Sequence, residues 1–203
     1  MSIIIDAQSM HARIRQILDR EDAAYFTDSQ LWHYTSMATD EFIQQHYNVF
    51  ETSQDARDKL QKLVRSVTID DINDTTPINV DNLSPKFFRI ISLHTTLNNT
   101  NVKLIQHADM TAYSNDPFNK ADINNPVAYQ NNGMINFMGL GTAPISITLV
   151  YLYYTVTWKQ LDDPCWEEIA QISARRILAT LGDPRYQFLQ AELMERLIQG
   201  GGK

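Results

Sequence analysis

The first glycine of this 203-residue chain is Gly133, and no proline precedes Pro77. Phosphate-cradling loops of the G-x-G-x-x-G or G-x-x-x-x-G-K-[ST] kind need glycine where backbone closely approaches an anion. The N-terminal two-thirds therefore excludes them. Cysteine is scarcer still. Cys165 stands alone, which excludes an internal disulfide and any multi-cysteine zinc site. Long apolar runs are missing as well. The longest lies around Ile145–Trp158, is rich in threonine and tyrosine, and falls short of the ~20 apolar residues of a membrane helix. Asp6 follows Ile3-Ile4-Ile5 at once and interrupts any signal-peptide core. Basic charge is thin: residues 1–76 carry seven Lys/Arg against thirteen Asp/Glu, and the whole chain nets −7. Affinity for phosphate comes from Lys and Arg, so such a chain is poorly suited to wrapping nucleic acid. It suits a surface that nucleic acid passes without sticking.

What is present is a helical start, a β-rich and asparagine-rich middle, and a helical end. A first helix starts near Asp6 or Ser9 with Met10, Ile14 and Ile17 or Leu18 on one face. Thr27-Asp28-Ser29-Gln30, preceded by apolar Phe26, reads as a capping box. Leu31, Tyr34, Ala38 and Phe42 then mark an amphipathic helix ending around His46–Asn48. A third helix starts near Thr52 or Ser53 and runs through Ala56, Leu60, Leu63, Val64 and Val67, followed by a polar loop over 68–86. Phe87–Leu97 alternates like a strand, Asn98–Asn101 is turn chemistry, and Val102–His107 returns as the second arm of a hairpin. Residues 109–132 read as a long loop of the kind that orders against a partner. Met134–Met138 and Ile145–Trp158 supply further strands. Asp163-Pro164 opens a helix that Gly182 can stop, and Asp183-Pro184 opens another with Tyr186, Leu189, Leu193 and Leu197 on one stripe.

The fold class expected is α+β. The N-terminal part (1–84) and the C-terminal helices (161–203) form one bundle, and an inserted antiparallel β lobe spans 85–160. Each helical piece has an apolar stripe too small to bury by itself.

No constellation of catalytic residues is visible. His11, His33, His46, His94 and His107 never pair at the spacing that puts two ligands on one helix face. Asp40-Glu41 and Asp70-Asp71 read as solvated faces, since neighbours on a helix point apart. Cys165 sits at a helix start, which favours the thiolate, but no base lies near it in sequence and it reads as a packed thiol. Gly139-Leu140-Gly141 follows a strand but leads to Pro144 and another strand, not to the helix a nucleotide loop needs. Tyr151, Tyr153, Tyr154 and Trp158 lack interleaved Lys/Arg apart from Lys159, so that strand reads as core or subunit interface. No metal, no cofactor and no enzymatic activity are expected.

Several segments, in order, resemble the neck or ring structural proteins of tailed phages, above all those of crAss-like phages, and the tail-tubular head-to-tail adaptors of short-tailed phages. They are Tyr25–Tyr47 (YFTDSQLWHYTSMATDEFIQQHY), Phe50–Val64 (FETSQDARDKLQKLV), Leu83–Leu93 (LSPKFFRIISL), Asp116-Pro117-Phe118, Pro126–Tyr129, Ile147–Trp158 and Leu161–Leu181. The resemblance implies an architectural, non-enzymatic virion protein, made in the host cytoplasm and resident in the neck or tail. It would form a ring of roughly twelve copies. Its partners would be the portal, neighbouring ring or tail proteins, and genomic DNA passing a central channel without specific binding; no membrane is implied. Phe118 and Tyr129 are the expected interface anchors, because aromatics dominate interface energetics. Some of the acidic side chains of the helical part are expected to line or rim the DNA path. Two other classes fit the same sequence. One is a hydrolase whose dispersed carboxylates meet in the fold, and the other is a small module that holds a peptide or sugar in the 109–132 loop.

Overall fold

In this computed structural model the described residues are 7–19, 26–115, 120–155 and 157–185, with 187, 188, 190, 191, 194 and 195 beyond them. In chain order the elements are α1 (Ala7–Ile17), α2 (Asp28–Asn48), α3 (Gln54–Leu60), β1 (Val64–Ile72), β2 (Ile78–Asn79), β3 (Phe87–Thr95), β4 (Lys103–Ile105), α4 (Met110–Asn115), β5 (Val127–Asn131), β6 (Met134–Met138), β7 (Ile145–Tyr153) and α5 (Asp163–Leu181). The chain divides into two compact units. One joins Met1–Leu63 to Thr155–Lys203, and the other is Val64–Tyr154. The α+β class and the pairing of both chain ends in one helical unit agree with the sequence.

In the helical unit, local signals and burial point the same way. Thr27 caps α2: its Oγ1 accepts from the Gln30 N–H at 3.3 Å while the Thr27 N–H donates to Gln30 Oε1 at 2.9 Å. Met10, Ile14 and Leu18 of the α1 stripe are buried, as are Leu31, Ala38, Phe42 and Ile43 of α2. Thr35, not Tyr34, occupies the inward position on α2, with Thr39 one turn on. Their hydroxyls donate to the Leu31 and Thr35 carbonyls at 2.7 and 2.8 Å, so two polar side chains enter the core with their donors met. Trp158 is fully buried, edge-on to Trp166 at 4.9 Å between centroids. Asp162, one residue before the sequence-expected Asp163, holds the N-cap position of α5 without a capping bond; its carboxylate pairs with Lys62 instead. Gly182 ends α5 with φ +67, and the Asp183 N–H closes back on the Leu178 carbonyl at 2.9 Å. The expected final stripe (Tyr186, Leu189, Leu193, Leu197) lies outside the described residues, as does Phe118.

The β unit departs from the sequence reading in three places. The third helix stops at Leu60, and after one tight turn (Gln61–Leu63) the chain becomes β1, where a loop was expected from 68. The β-branched residues Val64, Val67, Thr68, Ile69 and Ile72 favour a pleated surface. The β unit therefore begins at 64 instead of 85, and it ends at 154 instead of 160. Second, β3 and β4 do not form a hairpin ladder. The two sides of that turn are linked by a single isolated bridge, His94–Asn101, and by the Thr100 N–H donating to Thr95 Oγ1 at 3.2 Å. β3 pairs with β7 in a three-stranded antiparallel sheet ordered β1-β7-β3, and β4 runs parallel to β5 in a second sheet ordered β2-β6-β5-β4. Third, the segment 109–132 is not one loop, since it contains α4 and β5.

Gly139 has φ +91, and a Cβ there would stand 2.6 Å from the Asp122 backbone nitrogen and 2.8 Å from the Ala121 carbonyl carbon. Gly182 also has positive φ, but nothing lies within 4 Å of its missing Cβ. Gly139→Ala is therefore expected to cost well over 1 kcal/mol, and Gly182→Ala only about 1 kcal/mol, in urea unfolding. Equal costs would contradict the close approach at Gly139.

Candidate functional site

The densest polar cluster gathers residues far apart in sequence. Glu168, in the first turns of α5, is paired through Oε1 with His46 Nε2 of α2 at 3.1 Å and through Oε2 with Lys59 Nζ of α3 at 3.0 Å. Lys59 also reaches Asp55, one turn earlier on α3, at 3.0 Å. Burial would push the Glu168 carboxyl up, but the bond and charge of His46 together with Lys59 outweigh it and hold the group below its ordinary value. Burial likewise pulls Lys59 down, and its two carboxylates more than restore it. Cys165 lies one turn before Glu168, with its Sγ 3.9 Å from the Lys59 carbonyl. A carboxylate and an imidazole thus meet one helical turn from a thiol. The thiol is buried, and burial pushes its pKa up to about 11, so the thiolate is suppressed. Glu168 engages His46 and Lys59 at once, which fixes α2 and α3 to α5.

The other sequence candidates are placed as follows. Glu41 is not a solvated acid: it accepts from both Arg175 and Arg176 across to α5. Asp70 accepts from Ser146 on the neighbouring strand, and Asp71 takes φ +61 where β1 bulges between Ile69 and Ile72. The Gly139-Leu140-Gly141 loop does hold an anion, but an internal one. Asp74 accepts from the Leu140 and Gly141 N–H groups at 2.9 and 3.1 Å. A loop that resembles a phosphate cradle is filled by the protein's own carboxylate. His11 is buried against Asp28 (3.4 Å) and edge-on to Trp32, His94 meets Ser92 at 3.1 Å, and His33 lies edge-on to Tyr34. Among the described residues no three His, Cys, Asp or Glu side chains converge as a metal site.

Tyr129, expected as a loop anchor, is a half-buried strand residue of β5 whose ring stacks on His107 at 5.2 Å. Four bases of the β unit sit on aromatic rings: Arg65 over Tyr153, Lys86 over Tyr154, Arg89 over Phe88 and Lys103 over Tyr113. The aromatic strand thus has cationic company that no sequence spacing revealed, because Arg65 arrives from β1 and Lys86 from the residue just before β3. Tyr151 and Tyr153 are nonetheless buried, as a core strand requires. Exposed apolar side chains remain on α2 (Trp32, Met37), just after it (Val49), and in the β unit at Leu97, Leu104 and Ile123.

Replacing Glu168 by alanine leaves Lys59 and His46 facing a void, and is expected to cost about 3 kcal/mol in denaturant unfolding. The sign with pH follows from the lowered carboxyl. Its contribution is complete above the unfolded value near 4.5 and disappears as pH falls through the lower folded value. The acid limb of the stability curve should flatten in Glu168→Gln; an unchanged limb would contradict this. Cys165 should stay unmodified by a thiol reagent in the native protein near neutral pH and react fully on unfolding. Rapid native labelling would show that the thiol is accessible.

Among the described residues, no helix is long and apolar enough to cross a membrane. No protein-family model matches the chain, and no curated protein matches it.

Proposed function

We propose that this chain is a ring-forming structural protein of a tailed-phage neck, a head-to-tail connector subunit that joins the portal to the tail and lets DNA pass through a central channel. The observation that carries this reading is the arrangement of charge in the helical unit. Seven of its described cations are engaged by its own carboxylates: Arg13 by Glu167, Arg15 by Asp28, Lys59 by Asp55 and Glu168, Lys62 by Asp162, Arg175 and Arg176 by a shared Glu41, and Arg185 by Asp183. A grip on duplex DNA needs several unpaired Lys/Arg. A unit most of whose described bases are engaged by carboxylates, and whose acids are in surplus, suits the rim of a path along which DNA slides. The resemblance of Tyr25–Leu181 to neck and ring proteins supports the same class.

The hydrolase reading loses support from the same observation. Glu41, Asp74 and Glu168 hold elements together and have their lone pairs occupied by structural donors. A general acid or base needs a partner group it can exchange protons with at the substrate.

Mass photometry of the purified protein tests the proposal. The expected result is a closed assembly of roughly twelve copies, with ring-shaped class averages in electron micrographs. A stable monomer or dimer at micromolar concentration would contradict it.

A further inference from the structure

On the face shared by α2 and α5, guanidinium donors outnumber the acceptors that face them. Glu41 Oε1 accepts from Arg175 Nη2 and from Gln45 Nε2 (3.0 Å), and Oε2 accepts from Arg176 Nε and Nη2 at 2.7 Å. One carboxylate therefore serves two guanidiniums. Each guanidinium has five N–H donors, and among the described residues Arg175 Nε and Nη1 and Arg176 Nη1 have no acceptor. Arg175 is held in place, with 18% of its side chain exposed. Beside the pair lies a cleft of about 350 Å³ lined by Glu41, Arg175, Arg176, Ala179 and Gln190. It offers one uncompensated positive charge, fork-shaped donors and space.

We infer that this cleft receives the carboxylate of an acidic side chain on a second copy of this chain. The planar fork matches a carboxylate, and a single negative charge balances the site. A polyanion fits poorly, because the unit around the cleft carries seventeen Asp/Glu against twelve Lys/Arg. A second copy supplies carboxylates in surplus, among them the exposed Glu51. In a heterologous ring contact the cleft of one copy meets a different patch of the next, so the acid need not lie near the cleft of its own chain. This inference rests on the ring reading and gives it a named contact.

Sedimentation velocity of Arg176→Gln, Arg176→Lys and Glu41→Gln beside the wild type tests it. Each variant is first checked for native circular dichroism. Arg176→Gln should weaken association about tenfold or more, and Arg176→Lys, which keeps the charge but loses the fork, should restore only part of it. Glu41→Gln removes the competing internal carboxylate and should strengthen association, the opposite of what simple destabilisation would do. Excess glutarate should compete in the wild type. A full-size ring in all three variants would overturn this contact and leave the ring reading intact, whereas a wild type that never assembles would overturn both. Glutarate that raises the melting temperature without altering assembly would mark the ligand as a free carboxylate. Competition by duplex DNA, with no effect of glutarate, would mark it as phosphate. Either result overturns the second-copy assignment.

Discussion

The paired Glu168 carboxylate is the constraint on which the helical unit depends. The unit is assembled from both ends of the chain, so its last helix must find the first three after ninety residues of β structure have intervened. Apolar burial alone gives α5 a reason to dock but little reason to choose one rotation or register. Two adjacent glutamates supply that choice. Glu167 takes Arg13 of α1, and Glu168 takes His46 of α2 and Lys59 of α3. Two turns later Arg175 and Arg176 take Glu41 of α2. Buried ion pairs give little net stability but penalise misplacement heavily, which makes them suited to specifying position.

The β unit uses the same device on a smaller scale. Asp74 fills the cradle of the Gly139–Gly141 loop, and that loop packs so closely on Asp122 that only glycine fits at 139. A carboxylate in a backbone nest and a missing Cβ fix where two distant loops meet. In both units, then, the residues that look chemically active in sequence are engaged in holding the chain together.

Much of the helical unit was legible because its signals are local. The Thr27–Gln30 box, the Met10-Ile14-Leu18 stripe and the Pro164–Gly182 bracket are each decided within a few residues. The misses share one cause, competition from distant residues. Leu60, Leu63, Val64 and Val67 keep helical spacing straight across a helix–strand junction, so periodicity alone carried α3 too far. Asn98–Asn101 makes a good turn, yet β4 gains more by pairing with Val127–Tyr129 than by returning along β3. The asparagines and prolines of 109–132 hid that strand. Glu41 read as a solvated acid because its cations lie more than a hundred residues away, and spacing has no access to such pairs. Tyr129, placed in the 109–132 loop by the same reading, lies on β5.

The central physical claim is that α5, held through Glu168, joins the two ends of the chain into one cooperative unit. Native-state hydrogen exchange followed by mass spectrometry on wild type and Glu168→Gln tests it most directly. The account predicts that the substitution lowers protection in α1, α2, α3 and α5 together, while the β1-β7-β3 sheet keeps its own protection. A loss confined to α5, with α2 and α3 unchanged, would contradict it.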